Sequence, residues 1–98
     1  MKIYYVYILK CSDGSYYTGV TNNVERRFQE HRSGLHPQSY TGKRLPVELL
    51  FYRTFRYIND AIAFEKQVKR WGRRKKEALI KGDWEELRRL AAASSGSG

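Results

Sequence analysis

Five side chains of this sequence have the chemistry to cooperate in hydrolysing a phosphate ester. They supply two phenols, a guanidinium, an imidazole and a carboxylate, from Tyr7, Tyr17, Arg27, His31 and Glu65. Phosphodiester hydrolysis needs a nucleophilic water, stabilisation of charge on the non-bridging oxygens and help for the leaving oxygen. A guanidinium offers a planar fork of donors to phosphate, and a carboxylate is a hard oxygen ligand for Mg²⁺ or Mn²⁺. A phenol or an imidazole can orient or deprotonate the water, if a neighbouring cation lowers the phenol pKa from its usual value of about 10.

The strands that must position the tyrosines are visible in the hydrophobic pattern. Residues 3–11 are almost continuously apolar or aromatic, which is typical of a strand buried on both faces at the centre of a sheet. Ser12-Asp13-Gly14 is a turn signal, and residues 15–20 return as a second strand. Residues 47–55 form a third strand, which we place at an edge because Pro46 bounds it.

The length of the hairpin loop decides whether the two tyrosines share a face. A two-residue turn would pair Tyr17 with Lys10 and direct it away from Tyr7. A three-residue loop with Gly14 in the left-handed conformation pairs Tyr17 with Leu9 and puts both tyrosines on one face. We predict the three-residue loop, with Gly14 and Gly19 as structural glycines.

Helical patterns follow the hairpin and the third strand. The first helix spans residues 24–32 after a Thr21-Asn22-Asn23 cap and ends at Ser33-Gly34. A second helix is capped by Asn59-Asp60 and ends near Trp71. A short basic helix covers residues 73–81, and a capping box at residues 83–86 opens a last helix. The predicted inward residues of these three helices are Ala61, Ile62, Phe64, Val68, Ala78, Leu79, Ile80, Trp84, Leu87 and Leu90.

The order β-β-α-β-α plus short helices predicts an α+β fold, with a small three-stranded mixed or antiparallel sheet flanked by helices. We expect residues 1–90 to form a single domain and residues 91–98 to be a flexible tail or an expression remnant. The single cysteine, Cys11, excludes an internal disulfide. No signal peptide and no apolar run near the roughly 20 residues of a membrane span is visible, so we expect a soluble cytoplasmic protein with no membrane partner.

The charge balance points to a polyanionic partner. Nineteen Lys and Arg against ten Asp and Glu give a formal net charge of +9, and such a field attracts nucleic acid. Runs of charge are usually solvated faces, but here a run of one sign follows the candidate metal ligand, which favours a surface that tracks phosphates. The residues assigned to nucleic-acid binding are Lys43, Arg44, Lys66, Lys69, Arg70, Arg73 and Lys75.

Three stretches together resemble the GIY-YIG nuclease superfamily. They are YVYILKCSDGSYYTGVTNNVERRFQEH, the later AIAFEKQVKRW and the basic RRKKEALI. The resemblance extends from Tyr4 to about Ile80 and is narrower to the small stand-alone bacterial GIY-YIG proteins of the UPF0213 type, which are related to the catalytic domain of a class of structure-specific endonucleases. It depends on several positions in the right order, since a lone YxG or RxxxH occurs often by chance.

The resemblance implies the GIY-YIG endonuclease fold and a set of site residues. The implied catalytic residues are Tyr7, Tyr17, Arg27, His31 and Glu65, with Glu65 as the ligand of one Mg²⁺ or Mn²⁺ ion and Gly19 as an essential glycine. The sequence departs from the family pattern with Tyr5 in place of Gly and Thr18 in place of Ile. Val20 stands where some relatives have Lys, so a mechanism in which that lysine activates a tyrosine does not carry over.

Each site residue also has an ordinary structural interpretation. Arg27 alone would be a solvated helix residue, His31 alone could cap or pack, and Glu65 could form an ion pair with Arg27 or Lys69. His36, in the loop, is interpreted as a bystander.

The leading hypothesis is a metal-dependent endonuclease that acts on DNA and recognises backbone shape more than sequence. The alternatives are a non-catalytic nucleic-acid-binding module, for DNA or RNA, and a nuclease subunit that is active only with a protein partner.

Overall fold

Three strands form one antiparallel sheet in the order β2-β1-β3. The strands are β1 (Tyr4–Lys10), β2 (Tyr16–Thr21) and β3 (Glu48–Phe55). The structure is a computed structural model that describes residues 2–96. The predictions that the first strand is central and the third lies at an edge are confirmed, and the pairing is antiparallel throughout.

Four helices complete the predicted element order. They are α1 (Val24–Ser33), α2 (Ile58–Arg70), α3 (Arg73–Lys81) and α4 (Trp84–Gly96). Helix α2 begins before the predicted cap, because the Ala61 N–H already donates to the Tyr57 carbonyl at 3.2 Å. Asn59 and Asp60 therefore lie in its first turn and do not cap it. Helix α4 continues across residues 91–96, where a flexible tail was predicted, since this segment opens with three alanines. Residues 97–98 of that tail lie outside the described residues.

The hairpin has the predicted three-residue loop. Leu9 pairs with Tyr17, and the Cys11 N–H donates to the Ser15 carbonyl at 2.9 Å, which leaves residues 12–14 as the loop. Gly14 adopts φ 84°, in the left-handed region that glycine enters without steric cost. Tyr7 and Tyr17 therefore share one face of the sheet.

The chain divides into two compact units, residues 1–66 and residues 67–98. In the first unit, alternate residues of β1 are buried on opposite faces, with Val6 and Ile8 on one face and Tyr7 and Leu9 on the other. The core on the Tyr7 face consists of Tyr7, Leu9, Cys11 and Val47, against which Tyr17, Val24, Phe28 and Leu49 pack. Helix α1 contributes Val24 and Phe28 to this core, so it lies across the face that carries both tyrosines.

In the second unit, Val68, Ala78 and Leu79 are buried as predicted. The Asp83 carboxylate caps α4 by accepting from the Glu86 N–H at 3.1 Å. The prediction that Trp84 points inward is wrong, because its side chain is 57% exposed. Trp84 is the first residue of α4, and helical side chains lean toward the N-terminus, so its ring projects beyond the helix end.

Within the described residues, no helix has the length and apolar character needed to cross a membrane.

Candidate active site

A chain of hydrogen bonds connects β1, α1 and the α1–β3 connection. Tyr7 Oη lies 2.9 Å from His31 Nε2, and His31 Nδ1 lies 2.7 Å from Thr41 Oγ1. The side chains at both ends are buried, since Tyr7 and Thr41 are each 1% exposed. The imidazole is therefore held at both nitrogens by hydroxyl groups, and each ring nitrogen has one partner.

Helix α1 presents Arg27 and His31 from one face because they are four residues apart. The Asn23 side chain accepts from the Arg26 N–H at 3.0 Å and begins the helix, and Gly34 ends it in the left-handed conformation, with its N–H donated to His31 and Glu30 carbonyls. Both ends agree with the sequence-based prediction. The caps fix which residue of α1 faces the tyrosines.

Gly19 is opposite Tyr7 in the β1–β2 ladder. A Cβ added to Gly19 would lie 2.5 Å from Tyr7 Cζ and 2.9 Å from Tyr7 Cε1. Non-bonded carbon atoms do not approach this closely. The absence of a side chain at Gly19 therefore allows the Tyr7 ring to pack against the backbone of β2, with its hydroxyl at His31. This is the physical reason for the Tyr17-x-Gly19 spacing.

Burial sets the protonation states of the Tyr7–His31 pair. Desolvation raises the pKa of Tyr7 to about 12, although a hydrogen bond from Arg27 acts in the opposite direction. Desolvation, reinforced by the positive charge of Arg27, lowers the pKa of His31 below its usual value. At neutral pH the phenol is therefore protonated and the imidazole is neutral, which leaves one of its nitrogens able to accept a proton.

Arg27 lies beside this pair. Its hydrogen bond with Tyr7 is the main reason that the pKa of Arg27 is raised, and Arg27 Nη1 also contacts Glu30 Oε1 at 3.3 Å. Arg27 Nε is buried without a hydrogen-bond partner among the described residues. The Arg27 side chain as a whole is 42% exposed, so a bound anion could meet the guanidinium from the solvent side.

A cavity of about 210 Å³ opens next to these groups. Its lining includes Tyr17, Arg27, His31, His36, Tyr40 and Thr41. The Tyr17 ring centroid lies 5.2 Å from that of His31 and 6.0 Å from that of Tyr40, with the two tyrosines stacked. Tyr17 therefore joins the site as an aromatic wall, and His36, interpreted from sequence as a bystander, lies at the same cavity.

The α1–β3 connection that carries Thr41 is fastened to the hairpin loop. The Arg44 guanidinium lies 3.8 Å from the Tyr40 ring centroid, and Arg44 donates to the Tyr40 carbonyl at 2.9 Å and to Asp13 Oδ2 at 3.0 Å. The Tyr40 hydroxyl donates to Ser15 Oγ at 2.8 Å. We call this set, Asp13, Ser15, Tyr40 and Arg44, the loop clasp. Arg44 has these partners within the chain, while its assignment to nucleic-acid binding stays a prediction.

Glu65 lies on α2 and is half-buried. It does not line the cavity, but its negative charge is among the influences that raise the pKa of Tyr7, after burial and the Tyr17 phenol. Among the described residues, no group of three or more His, Cys, Asp or Glu side chains could hold a metal ion. Glu65 is therefore not part of a preformed cluster of three such side chains within the described residues, and its role as a metal ligand stays a prediction.

The remaining residues predicted to bind nucleic acid are distributed over both units, with Lys43 and Lys66 in the first and Lys69, Arg70, Arg73 and Lys75 in the second. Two of them have contacts inside the second unit, since Arg73 Nε lies 3.5 Å from Glu77 and Lys75 Nζ lies 5.8 Å from the Trp71 ring centroid. Their contact with nucleic acid stays a prediction.

Thr41 and Tyr40 were not among the site residues predicted from the sequence. Both fall in a loop rich in Ser, Gly and Pro, where hydroxyl residues are common for turn formation alone. A weak signal was present, because Tyr40-Thr41-Gly42 repeats the tripeptide Tyr17-Thr18-Gly19.

The fold and the site together define a class. A three-stranded antiparallel sheet presents a tyrosine across from a glycine, and the helix that covers this face supplies an arginine and a histidine one turn apart. This is the arrangement of a GIY-YIG nuclease domain. Residues 3–78 match the family model of the GIY-YIG catalytic domain, and the chain belongs to that family.

Similar proteins agree with this placement. A UPF0213 protein of Syntrophus aciditrophicus is 42% identical over 83 residues, which cover 85% of this chain and 95% of that protein. The solution NMR structure of the UPF0213 protein BH0048 from Bacillus halodurans has a TM-score of 0.54 at 42% identity and covers 86% of this chain and 92% of its own. That of the protein EF2693 from E. faecalis has a TM-score of 0.59 at 36% identity, with 84% and 86% covered. These relatives confirm the predicted family and the α+β fold, and their names state no activity.

Proposed function

We propose that this protein is a metal-dependent endonuclease that hydrolyses DNA phosphodiester bonds and recognises the structure of the DNA. The observation that carries the proposal is that the Tyr7 phenol is hydrogen-bonded to the His31 imidazole and the Arg27 guanidinium, and that His31 and Arg27 line one cavity. The complete set of candidate catalytic side chains argues against a domain that only binds nucleic acid. The formal charge of +9 supports a polyanionic substrate.

The Tyr7–His31 pair provides a route for the proton of the attacking water. A phenol with a pKa of about 12 cannot act as a base at neutral pH unless its own proton leaves. His31 Nε2, 2.9 Å away on a neutral imidazole, can take that proton. In this scheme Tyr7 Oη receives the proton of the water while its own proton passes to His31 Nε2. The water oxygen bonds to phosphorus as the bond from phosphorus to the leaving oxygen breaks, and the leaving oxygen keeps the bonding pair and takes a proton from solvent.

Arg27 stabilises the charge on the phosphate, and Tyr17 holds His31 in position. The Arg27 guanidinium stabilises the negative charge that develops on the non-bridging oxygens, using donors already placed beside Tyr7. Tyr17 packs against His31 and keeps the imidazole from rotating away from Tyr7. Phosphate contacts of this kind read backbone position and carry no base sequence, which favours recognition of DNA structure.

A divalent cation fits the half-buried Glu65 carboxylate, because Mg²⁺ keeps several waters and is usually held by one or two carboxylates together with substrate phosphate. When bound, Mg²⁺ or Mn²⁺ would supply Lewis-acid stabilisation of the phosphate charge.

The proposal is tested by cleavage of a panel of nicked, branched and single-stranded DNA with Mg²⁺ or Mn²⁺. Arg27→Ala is expected to lower the rate about 100- to 1,000-fold, the usual cost of one charge-stabilising donor. Arg26→Ala is the matched control, since Arg26 precedes it on α1, its Nε lies 4.0 Å from Glu30 Oε2 and its side chain is 65% exposed. Glu65→Ala is expected to abolish metal-dependent products, and Glu48→Ala, an exposed glutamate on β3, is its control.

The outcomes separate the competing hypotheses. Equal cleavage by Glu65→Ala and the unchanged protein would remove Glu65 from the mechanism. Salt-sensitive binding without metal-dependent products would favour a binding module over an enzyme. Products that form only after a cell extract is added would favour a subunit that needs a protein partner.

A further inference from the structure

The buried hydroxyl of Thr41 has a position that ordinary packing does not require. Thr41 is 1% exposed, and its Oγ1 lies 2.7 Å from His31 Nδ1, on the side of the imidazole opposite Tyr7. Residues 31 and 41 are brought together by the α1–β3 connection, which the loop clasp fastens to the hairpin through Arg44 and Asp13. The hydroxyl is therefore held in place from a segment separate from α1.

A neutral imidazole has one proton, and its position decides what His31 can do. If the proton is on Nε2, His31 can only donate to Tyr7 and cannot accept the phenol proton. If the proton is on Nδ1, then Nε2 is an acceptor that faces Tyr7 Oη. A hydroxyl can donate to a ring nitrogen or accept from it, so the group at the other end of the imidazole orients the pair. The buried Tyr7 oxygen accepts from Arg27, and the Tyr7 hydroxyl donates to Nε2. The ring proton is then on Nδ1, and Thr41 Oγ1 is the acceptor at that place.

We propose that Thr41 is a positioning residue that holds His31 in the Nδ1-protonated tautomer and thereby makes Nε2 the acceptor for the Tyr7 proton. The role rests on the proposed nuclease function. In this role Thr41 acts through the imidazole and takes no part in the proton transfer itself.

The direct test is the nitrogen chemical shifts of His31, measured by NMR from long-range correlations between the ring protons and the ring nitrogens. His31→Asn assigns the signals. The unchanged protein is expected to show a protonated Nδ1 and an unprotonated Nε2 at pH 7.5. Thr41→Val, which keeps the shape and removes the hydroxyl, is expected to shift the proton to Nε2, whereas Thr41→Ser is expected to keep it on Nδ1.

Thr18→Val is the matched control. Thr18 is also a buried threonine, at 3% exposed, but its Oγ1 has no hydrogen-bond partner among the described residues. The same chemical change at Thr18 is expected to leave the His31 signals unchanged. A loss of the Nδ1 proton in both valine variants would assign the effect to general packing and overturn the proposal.

Cleavage kinetics supply the second readout. Thr41→Val is expected to lower kcat about 10- to 100-fold with KM nearly unchanged, the usual effect of removing the partner that orients a functional histidine, and Thr41→Ser is expected to restore most of it. In a His31→Ala background, Thr41→Val should cause no further loss. A full second loss there would contradict a role exercised through His31.

The two proposals can fail separately. Absence of cleavage with an Nδ1-protonated His31 would reject the nuclease function and keep the tautomer assignment. An Nε2-protonated His31 in the unchanged protein would overturn the role of Thr41 whether or not DNA is cut, and it decides the matter even if Thr41→Val fails to fold.

Discussion

Gly19→Ala is the substitution whose effect the structure defines most sharply. The new Cβ would lie 2.5 Å from Tyr7 Cζ, whereas two carbons at rest are about 3.5–4.0 Å apart. The Tyr7 ring must therefore retreat by about 1 Å or more. Because Tyr7 is 1% exposed in a close-packed core, this overpacking should cost about 1–3 kcal/mol.

The same displacement acts on the site. Moving the ring by about 1 Å away from β2 disturbs the 2.9 Å bond between Tyr7 Oη and His31 Nε2, and a misplacement of that size typically lowers rates about 100-fold. Thermal unfolding should show a fall in Tm of about 4 °C or more, and cleavage of the preferred DNA should slow in parallel. Both quantities are measured on the same protein preparation.

Two control variants test this explanation of the Gly19→Ala effect. Gly72→Ala places its Cβ in open space at a φ of −70° and should change the stability by less than about 1 kcal/mol. In a Tyr7→Ala background the clash is absent, so Gly19→Ala should add no further loss of stability. The explanation that Gly19 makes room for the Tyr7 ring would be refuted if the stability losses of Tyr7→Ala and Gly19→Ala were additive. It would also be refuted if Gly19→Ala left the Tm and the cleavage rate unchanged.

Three further predictions concern the environment of the site. Because burial and Arg27 lower the pKa of folded His31, the unfolded chain binds the proton first. The contribution of His31 to the free energy of unfolding should therefore be constant above about pH 6.5 and fall as the pH decreases below it. His31→Asn should flatten this fall in urea titrations, and an unchanged slope would contradict the burial effect. Arg44→Ala should open the loop clasp and speed amide hydrogen exchange at residues 39–44, while Lys43→Ala should not. Equal exchange in both variants would show that the loop clasp does not hold this segment in place. Leu9→Ala, at a fully buried position, should cost about 2–5 kcal/mol in chemical denaturation, against little change for Leu35→Ala, which is 57% exposed, and similar values for both would place the core elsewhere.

Much of the fold was readable from the sequence because local chemistry fixes it. The continuous apolar run of β1 identified the central strand, and the three residues between Cys11 and Ser15 set the register of the hairpin. Since side chains alternate along a strand, that loop length alone places Tyr7 and Tyr17 on one face. The spacing of Arg27 and His31 set their shared face on α1 in the same way.

Two sequence-based predictions were wrong, one on where α2 begins and one on the exposure of a tryptophan. The cap predicted at residues 59–60 was displaced because α2 already begins at Ile58, and such boundaries depend on which backbone groups find partners first. Trp84 was predicted to point inward from its hydrophobicity, but its place as the first residue of α4 leaves the ring exposed.

By itself, the sequence predicted the order of the elements and the register of the hairpin, and through the family resemblance it gave Tyr7 and His31 as site residues. Tertiary structure alone decided that Thr41 closes on His31 Nδ1, that Arg44 bonds to Asp13 instead of pointing only to solvent, and that the Tyr7 ring needs a glycine across from it. The reason is sequence distance: strand and helix periodicities act over a few residues, whereas Asp13 and Arg44 lie 31 residues apart and meet only when the chain folds.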